Sequence, residues 1–197
     1  MSHNSYLLGE EPVVELDLLA AMVAELEEYI IKDELYRTLI ASTSAGDRQL
    51  TMTGGDMLTR FYRLQHEDDQ LSREQQNRVA VLEKQAESTI YSLKTRFNQR
   101  LVREMKARLD SLTWYLDDCA TDRQRCRTNY PFEIRNRQRI EEILKRIGDD
   151  LPDDLRSRLQ SVDKRILLHA AGSEFVWEDR LAPVFPKSVY WYLYMRP

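Results

Sequence analysis

Acidic and basic side chains are concentrated near the middle of the chain, between residues 114 and 139. Asp117 and Asp118 precede a run rich in arginine, in which Arg135 and Arg139 are one helical turn apart. If the chain reverses near residue 125, the aspartates face the arginines, and arginine can pair a carboxylate through two parallel hydrogen bonds. The pattern predicts an ion-pair cluster that joins two helices. The same pattern also allows two alternatives: a binding site for an anion or a small molecule, or the active site of an enzyme.

A second basic feature is the stripe formed by Arg96, Arg100 and Arg103, whose spacing places them on one face of a helix. Such a stripe can follow the phosphates of a nucleic acid. Because Glu104 interrupts it, an ordinary solvated face is the preferred interpretation. Nucleic-acid binding through residues 94–139 is the alternative.

The sequence motifs of the common enzyme classes are missing. The sequence contains no G-x-S-x-G motif, no P-loop and no G-x-G-x-x-G motif. The run from His66 to Asp69 offers four potential metal ligands, but adjacent side chains point in different directions and no second histidine follows at ligand spacing. We therefore expect no metal, no cofactor and a non-catalytic protein.

Cys119 and Cys126 are the only cysteines. Residues 1–4 lack the basic start of a secretory signal, so we expect reduced thiols in a cytoplasmic protein. The longest interior apolar run without a charge, Leu18 to Ala24, is far too short to cross a bilayer.

Charge is segregated along the chain. The net charge of −4 combines −9 over residues 1–72 with +6 over residues 73–147 and −1 over the rest. The acidic and basic segments can attract each other within one fold or between two copies. The basic excess is weaker than nucleic-acid surfaces usually need.

One long amphipathic helix is predicted over about residues 73–118. Val79, Ile90, Leu101 and Leu112 recur every 11 residues, which corresponds to about 3.67 residues per turn and a nearly straight helix. Its length of roughly 65–70 Å at 1.5 Å per residue exceeds the width expected of one domain of this size. Hence the helix kinks, or one end protrudes to meet a partner.

Four shorter helices are predicted from apolar spacing and from capping residues. The segment between the first and second of them, residues 44–55, is predicted to be a loop. The helices begin at Pro12, Asp56, Pro131 and Asp149 or Asp150, and they end near Thr43, Gln65, Gly148 and Gly172.

Aromatic residues are concentrated at the C-terminus. Seven of the 18 aromatic residues lie in the last 23 positions, including Trp177, Tyr190, Trp191 and Tyr192. A free segment of this composition would expose a large apolar surface, so we expect it to pack on the bundle or to form a partner interface. Trp114, Tyr115 and Tyr130 are interpreted as core residues at a helix end rather than as base-stacking groups.

These patterns predict an all-α fold: an irregular bundle of about five helices over residues 1–172 around the long helix, followed by an irregular aromatic strap at 173–197. The predicted function is a non-catalytic interaction or adaptor protein that binds a protein partner or associates with itself. Nothing in the sequence indicates a membrane partner, and no residue pattern names the partner or the pathway.

Overall fold

The computed structural model describes residues 10–197, which form seven α-helices and two small antiparallel sheets. Residues 1–4, from which no export signal is expected, lie outside the described part of the chain. The helices are α1 (Pro12–Ile31), α2 (Gly54–His66), α3 (Arg73–Ser92), α4 (Lys94–Cys119), α5 (Arg123–Glu133), α6 (Arg135–Ile147) and α7 (Asp153–His169), and the strands are β1 (Arg37–Thr43), β2 (Gly46–Met52), β3 (Ala171–Gly172) and β4 (Met195–Arg196).

The prediction of an all-α fold is confirmed. The described residues divide into two compact units, 10–104 and 105–197, and the boundary falls inside α4, between Glu104 and Met105. Within residues 10–197, no helix is both long enough and apolar enough to cross a membrane.

The long helical segment is present as α3 and α4, which are separated by a single residue. Leu93 adopts φ −120° and ψ 26°, outside the α-helical region, and neither proline nor glycine marks this break. The predicted apolar stripe is buried at Val79, Ile90, Leu101 and Leu112, whereas Leu93, which continues it three residues after Ile90, is only half-buried. The predicted helix over 73–118 is therefore interrupted at the position where the stripe is least covered.

A β-hairpin replaces the predicted end of the first helix and the predicted loop 44–55. α1 ends at Ile31, Asp33 has φ +59°, and β1 and β2 then pair in antiparallel register from Arg37↔Met52 to Thr43↔Gly46. The prediction failed because the spacing from Leu35 to Leu39, four residues, fits both a helical face and a two-residue strand period. Strand alternation turns Leu39 and Ala41 to the buried side.

Thr53, and not the predicted Asp56, is the N-cap of α2. The Thr53 hydroxyl accepts a hydrogen bond from the Asp56 backbone N–H at 3.1 Å. The buried carboxylate of Glu104 accepts hydrogen bonds from the Thr53 hydroxyl at 2.7 Å and from the Gly55 N–H at 2.9 Å. A Cβ on Gly54 would lie 2.5 Å from Leu101 Cδ2, so only glycine fits there without a shift.

Pro131 lies inside α5 and does not start a helix, as the sequence had suggested. α5 begins at Arg123, eight residues before Pro131, because Asp122 caps it: the Asp122 carboxylate accepts a hydrogen bond from the Arg125 N–H at 2.9 Å. Pro131 sits in the last turn, and the helix ends two residues later at Glu133. Residue 125, near which the sequence suggests a reversal of the chain, therefore lies within a helix.

Arg137 is the central polar residue of the 105–197 unit. Its guanidinium group is buried, donates to both carboxylate oxygens of Asp163 at 2.7 and 3.2 Å and pairs with Glu141 at 2.8 Å. It also lies 4.6 Å from the centre of the Tyr192 ring. The Tyr192 carbonyl in turn accepts the Tyr130 hydroxyl at 2.7 Å. One side chain thus links α6, α7 and the C-terminal segment.

We expect Arg137→Met to lower the free energy of unfolding by about 3 kcal/mol, since removing one partner of a buried pair leaves the carboxylates without compensation. Arg156→Met, which removes an exposed arginine from α7, should change it by less than about 0.5 kcal/mol. Urea unfolding followed by circular dichroism measures both variants. Equal effects would show that the buried pair contributes nothing.

Candidate functional site

A cleft in the 105–197 unit lies between the C-terminal half of α4 and α5. Its volume is about 300 Å³, which is at the lower end of the range for small-ligand pockets. Both walls of the cleft are helical. Side chains three or four positions apart share one face of a helix, and the lining residues of each wall follow this spacing. The lining residues are Ser111, Trp114, Tyr115 and Asp118 from α4, the cap Asp122, and Arg125, Cys126, Asn129 and Glu133 from α5.

Four polar side chains of this cleft have no partner within the described residues. Those of Asp118, Arg125, Asn129 and Glu133 form neither hydrogen bonds nor ion pairs with any residue of the range 10–197. By contrast, the buried Arg137 of the same unit is paired with Asp163. The cleft therefore offers unused donors and acceptors to a ligand.

Trp114 forms the open side of the cleft. Its side chain is 73% exposed, which is unusual for the largest aromatic residue in a folded protein. The prediction that Trp114 belongs to the core is wrong, whereas its neighbour Tyr115 and Tyr130 are buried. The Tyr115 hydroxyl donates to the Cys126 carbonyl at 2.7 Å and so fixes the floor of the cleft.

The Glu133 carboxyl group belongs to a half-buried residue of the cleft. Burial raises its pKa, and the nearby Arg135 opposes that shift without cancelling it. Burial also raises the pKa of the Tyr115 hydroxyl, with a contribution from the charge of Glu133. A nearby cation stabilises the charged form of such a carboxyl group, because it offsets the reduced contact with water.

The two cysteines form a disulfide, so the prediction of reduced thiols is wrong. Cys119 at the end of α4 is bonded to Cys126 in α5, and their Cα atoms are 4.9 Å apart. Each lies on a helix flanking the short turn at residues 120–122, which brings them together. The bond ties the two walls of the cleft at one end. The cytoplasmic location, which was inferred from residues 1–4 and not from the cysteines, stays a prediction.

The predicted cluster of Asp117, Asp118, Arg135 and Arg139 is divided among several contacts. Asp117 is paired with Arg165 of α7 at 2.6 Å, and Asp118 lines the cleft. Arg135 lies 3.8 Å from the centre of the Phe132 ring, and Arg139 donates to the Arg135 carbonyl. None of these contacts joins an aspartate of the cluster to one of its arginines. An anion site formed by these four residues stays a prediction.

The arginine stripe is altered by burial. Arg100 is 1% exposed; it donates to the Ile30 carbonyl at 2.9 Å and to the Glu34 carbonyl, so the predicted phosphate contact at Arg100 is wrong. It faces inward because α1 ends there with carbonyl groups that lack helical partners. Arg103 is exposed but paired with Asp33 at 2.5 Å, and Arg96 is exposed.

The aromatic C-terminal residues have unequal exposure. Tyr190 and Tyr192 are fully buried and cannot form a partner surface in the folded chain. Trp177 and Trp191 are half-buried, and the Trp177 indole donates to the Pro131 carbonyl at 2.8 Å. Of the four predicted interface residues, the two tyrosines are therefore corrected to core positions.

Sequence reasoning missed Ser111, Asp122, Asn129 and Glu133 as members of one cleft. The lining residues of α4 and those of α5 each have helical spacing in the sequence. Only the disulfide and the cap at Asp122 show that the chain reverses at residues 120–122 and brings the two helices together. No residue pattern had identified that reversal at the correct position.

The described residues contain no group of three or more histidine, cysteine, aspartate or glutamate side chains arranged to hold a metal ion. The chain matches no protein-family model, no curated protein and no solved structure. The cleft itself is therefore the guide to function.

Reduction of the disulfide should lower the free energy of unfolding by about 2–3 kcal/mol, because the bond restricts a short loop of the unfolded chain. Urea unfolding with and without dithiothreitol measures this loss. The double variant Cys119→Ser/Cys126→Ser is the control, since its stability should not respond to reductant. Two free thiols titrated in the native, untreated protein would contradict the bond.

Glu133→Gln should stabilise the protein at pH 7. Because the folded pKa of Glu133 lies above its ordinary value of 4.5, the folded state binds the proton more tightly, and stability is lost as pH rises through the folded pKa. The gain should vanish below pH 4.5, where both side chains are neutral. Urea unfolding at both pH values tests this, with the exposed Glu174→Gln as control. A variant less stable than the natural chain at pH 7 would refute it.

Proposed function

We propose that this protein is a non-catalytic interaction protein that binds a protein partner through the cleft on α4 and α5. The observation that carries the proposal is the exposed Trp114 beside four polar side chains without partners. Tryptophan is enriched among the residues that dominate binding energy at protein interfaces. Exposing this indole in the free protein has a cost that a partner would remove.

The arrangement supports binding more than catalysis. The cleft is lined by the carboxylates of Asp118, Asp122 and Glu133, by Arg125 and by the amide of Asn129. The hydroxyl of Tyr115 donates its hydrogen bond to a backbone carbonyl. Such a set supplies charge and hydrogen bonds to a bound group. It does not include a nucleophile hydrogen-bonded to a base, which is the geometric signature of covalent catalysis.

Nucleic-acid binding through residues 94–139 has less support. Burial of Arg100 and the pairing of Arg103 with Asp33 leave fewer free cations on the stripe than its sequence suggested. Phosphate contacts need several free cations, since each contributes by releasing counterions. We therefore favour the protein partner.

A photo-crosslinking amino acid placed at position 111, which lines the cleft and leaves Trp114 in place, tests the proposal in cells that produce the protein naturally. We expect one discrete adduct, identified by mass spectrometry; an adduct of twice the chain mass would identify a second copy. The same group placed at Tyr91, which is 84% exposed on α3, is the matched control and should not give that adduct. Identical products at both positions, or none at position 111, would contradict the proposal.

A further inference from the structure

The ligand chemistry of the cleft follows from its charge. Its lining carries three carboxylates, from Asp118, Asp122 and Glu133, and one guanidinium, from Arg125. A cation is favoured in such a site, whereas an anion would meet carboxylates whose charge it cannot offset. The cap role of Asp122, which accepts one backbone N–H, leaves the charge of its carboxylate in place.

The shape of the cleft narrows the choice among cations. A volume of about 300 Å³ accommodates a single side chain more readily than a large cofactor. Trp114 presents an exposed ring at the opening, and a planar guanidinium stacks on such a ring and is less strongly hydrated than an ammonium group. A guanidinium also has five donors and no acceptor, which suits the free oxygens of Asp118, Asn129 and Glu133.

The chain binds its own guanidinium groups in the same way. Arg100 lies 4.4 Å from the Tyr29 ring centre, Arg135 lies 3.8 Å from that of Phe132, and Arg137 lies 4.6 Å from that of Tyr192. Arg137 combines ring contact with a two-point hydrogen bond to Asp163. Trp114 beside Asp118 and Glu133 offers the same two elements, an aromatic ring and carboxylates, and Arg125, the one arginine of the lining, forms no ion pair with either carboxylate.

We infer that the cleft binds an arginine side chain of the protein partner, with the guanidinium against Trp114 and hydrogen-bonded to Asp118 and Glu133. This inference rests on the proposed function, because it names the group by which the partner is recognised. Affinity depends on both the positive charge and the planar shape of that group. A lysine side chain meets only the first condition and binds more weakly.

Titration with short capped peptides tests the inference on the full chain. The peptides have the sequence Gly-Ser-X-Ser-Gly, where X is arginine, lysine, citrulline or glutamate, and the readout is the Trp114 indole N–H signal in nuclear magnetic resonance spectra, assigned with Trp114→Phe. We expect the arginine peptide to bind with a dissociation constant on the order of 1 mM, as suits a single anchoring side chain. Citrulline, which is neutral but similar in shape, should bind at least about tenfold more weakly, since it lacks the charge-assisted hydrogen bonds.

Two neighbouring aspartates provide matched variants. Asp118→Asn should weaken binding of the arginine peptide about tenfold or more, because it removes a carboxylate of the cleft. Asp117→Asn should leave binding unchanged, since Asp117 is paired with Arg165 outside the lining. Equal effects of the two variants, equal affinity for arginine and citrulline, or no shift of the Trp114 signal would overturn the inference. The peptide series on the natural chain needs no variant to fold.

Competition separates this inference from the proposed function. If the adduct formed at position 111 persists in the presence of saturating arginine peptide, the partner is bound without an arginine in the cleft, and only the inference fails. If the arginine peptide binds but no protein adduct forms, the proposed function fails, and the cleft is a site for a free guanidinium compound. Displacement of the partner by the arginine peptide and not by the citrulline peptide supports both.

Discussion

The 105–197 unit depends on the burial of one positive charge, that of Arg137. Removing a guanidinium from water is costly unless its donors are satisfied, and here two carboxylates and an aromatic ring surround it. These partners come from α6, α7 and the C-terminal segment, so the charge can be buried only when all three are in place. A second polar contact also holds the C-terminal segment: the Tyr190 hydroxyl donates to the buried carboxylate of Glu142 in α6 at 2.5 Å. The aromatic segment is thereby fixed by polar contacts as well as by apolar burial.

The same rule governs the 10–104 unit, where Glu15 pairs with Arg63 at 2.6 Å and Arg63 with Glu67 at 2.8 Å, all of them buried. In the cleft, by contrast, the half-buried Glu133 has no hydrogen-bond partner among the described residues. Unsatisfied polar groups reduce stability, and they concentrate where a protein binds something else. This contrast, more than the volume of the cleft, distinguishes it from an ordinary surface depression.

Periodicity predicted most of the helical content, and contacts distant in sequence account for most of what it missed. The stripe through Leu101 and Leu112 and that of α7 are buried as expected, since helical spacing is a local property. The hairpin was not predicted because the spacing of Leu35 and Leu39 fits both the helical period and the two-residue period of a strand. Arg100 was misplaced because the carbonyls that it satisfies lie some 70 positions earlier. Cys119 and Cys126 were assigned from the expected compartment, whereas the geometry of a tight helical turn decided their state.

The cleft combines a rigid frame with groups that the frame leaves unsatisfied. The disulfide and the Asp122 cap hold the turn between α4 and α5, and the Tyr115 hydroxyl bonds to the Cys126 carbonyl across the floor. A site held in this way binds with little loss of conformational entropy, since its walls are ordered before the partner arrives. Free carboxylates on a mobile loop would turn to water instead. The ordered walls therefore keep Asp118 and Glu133 on the lining of one cleft, whose two helices are joined by the disulfide.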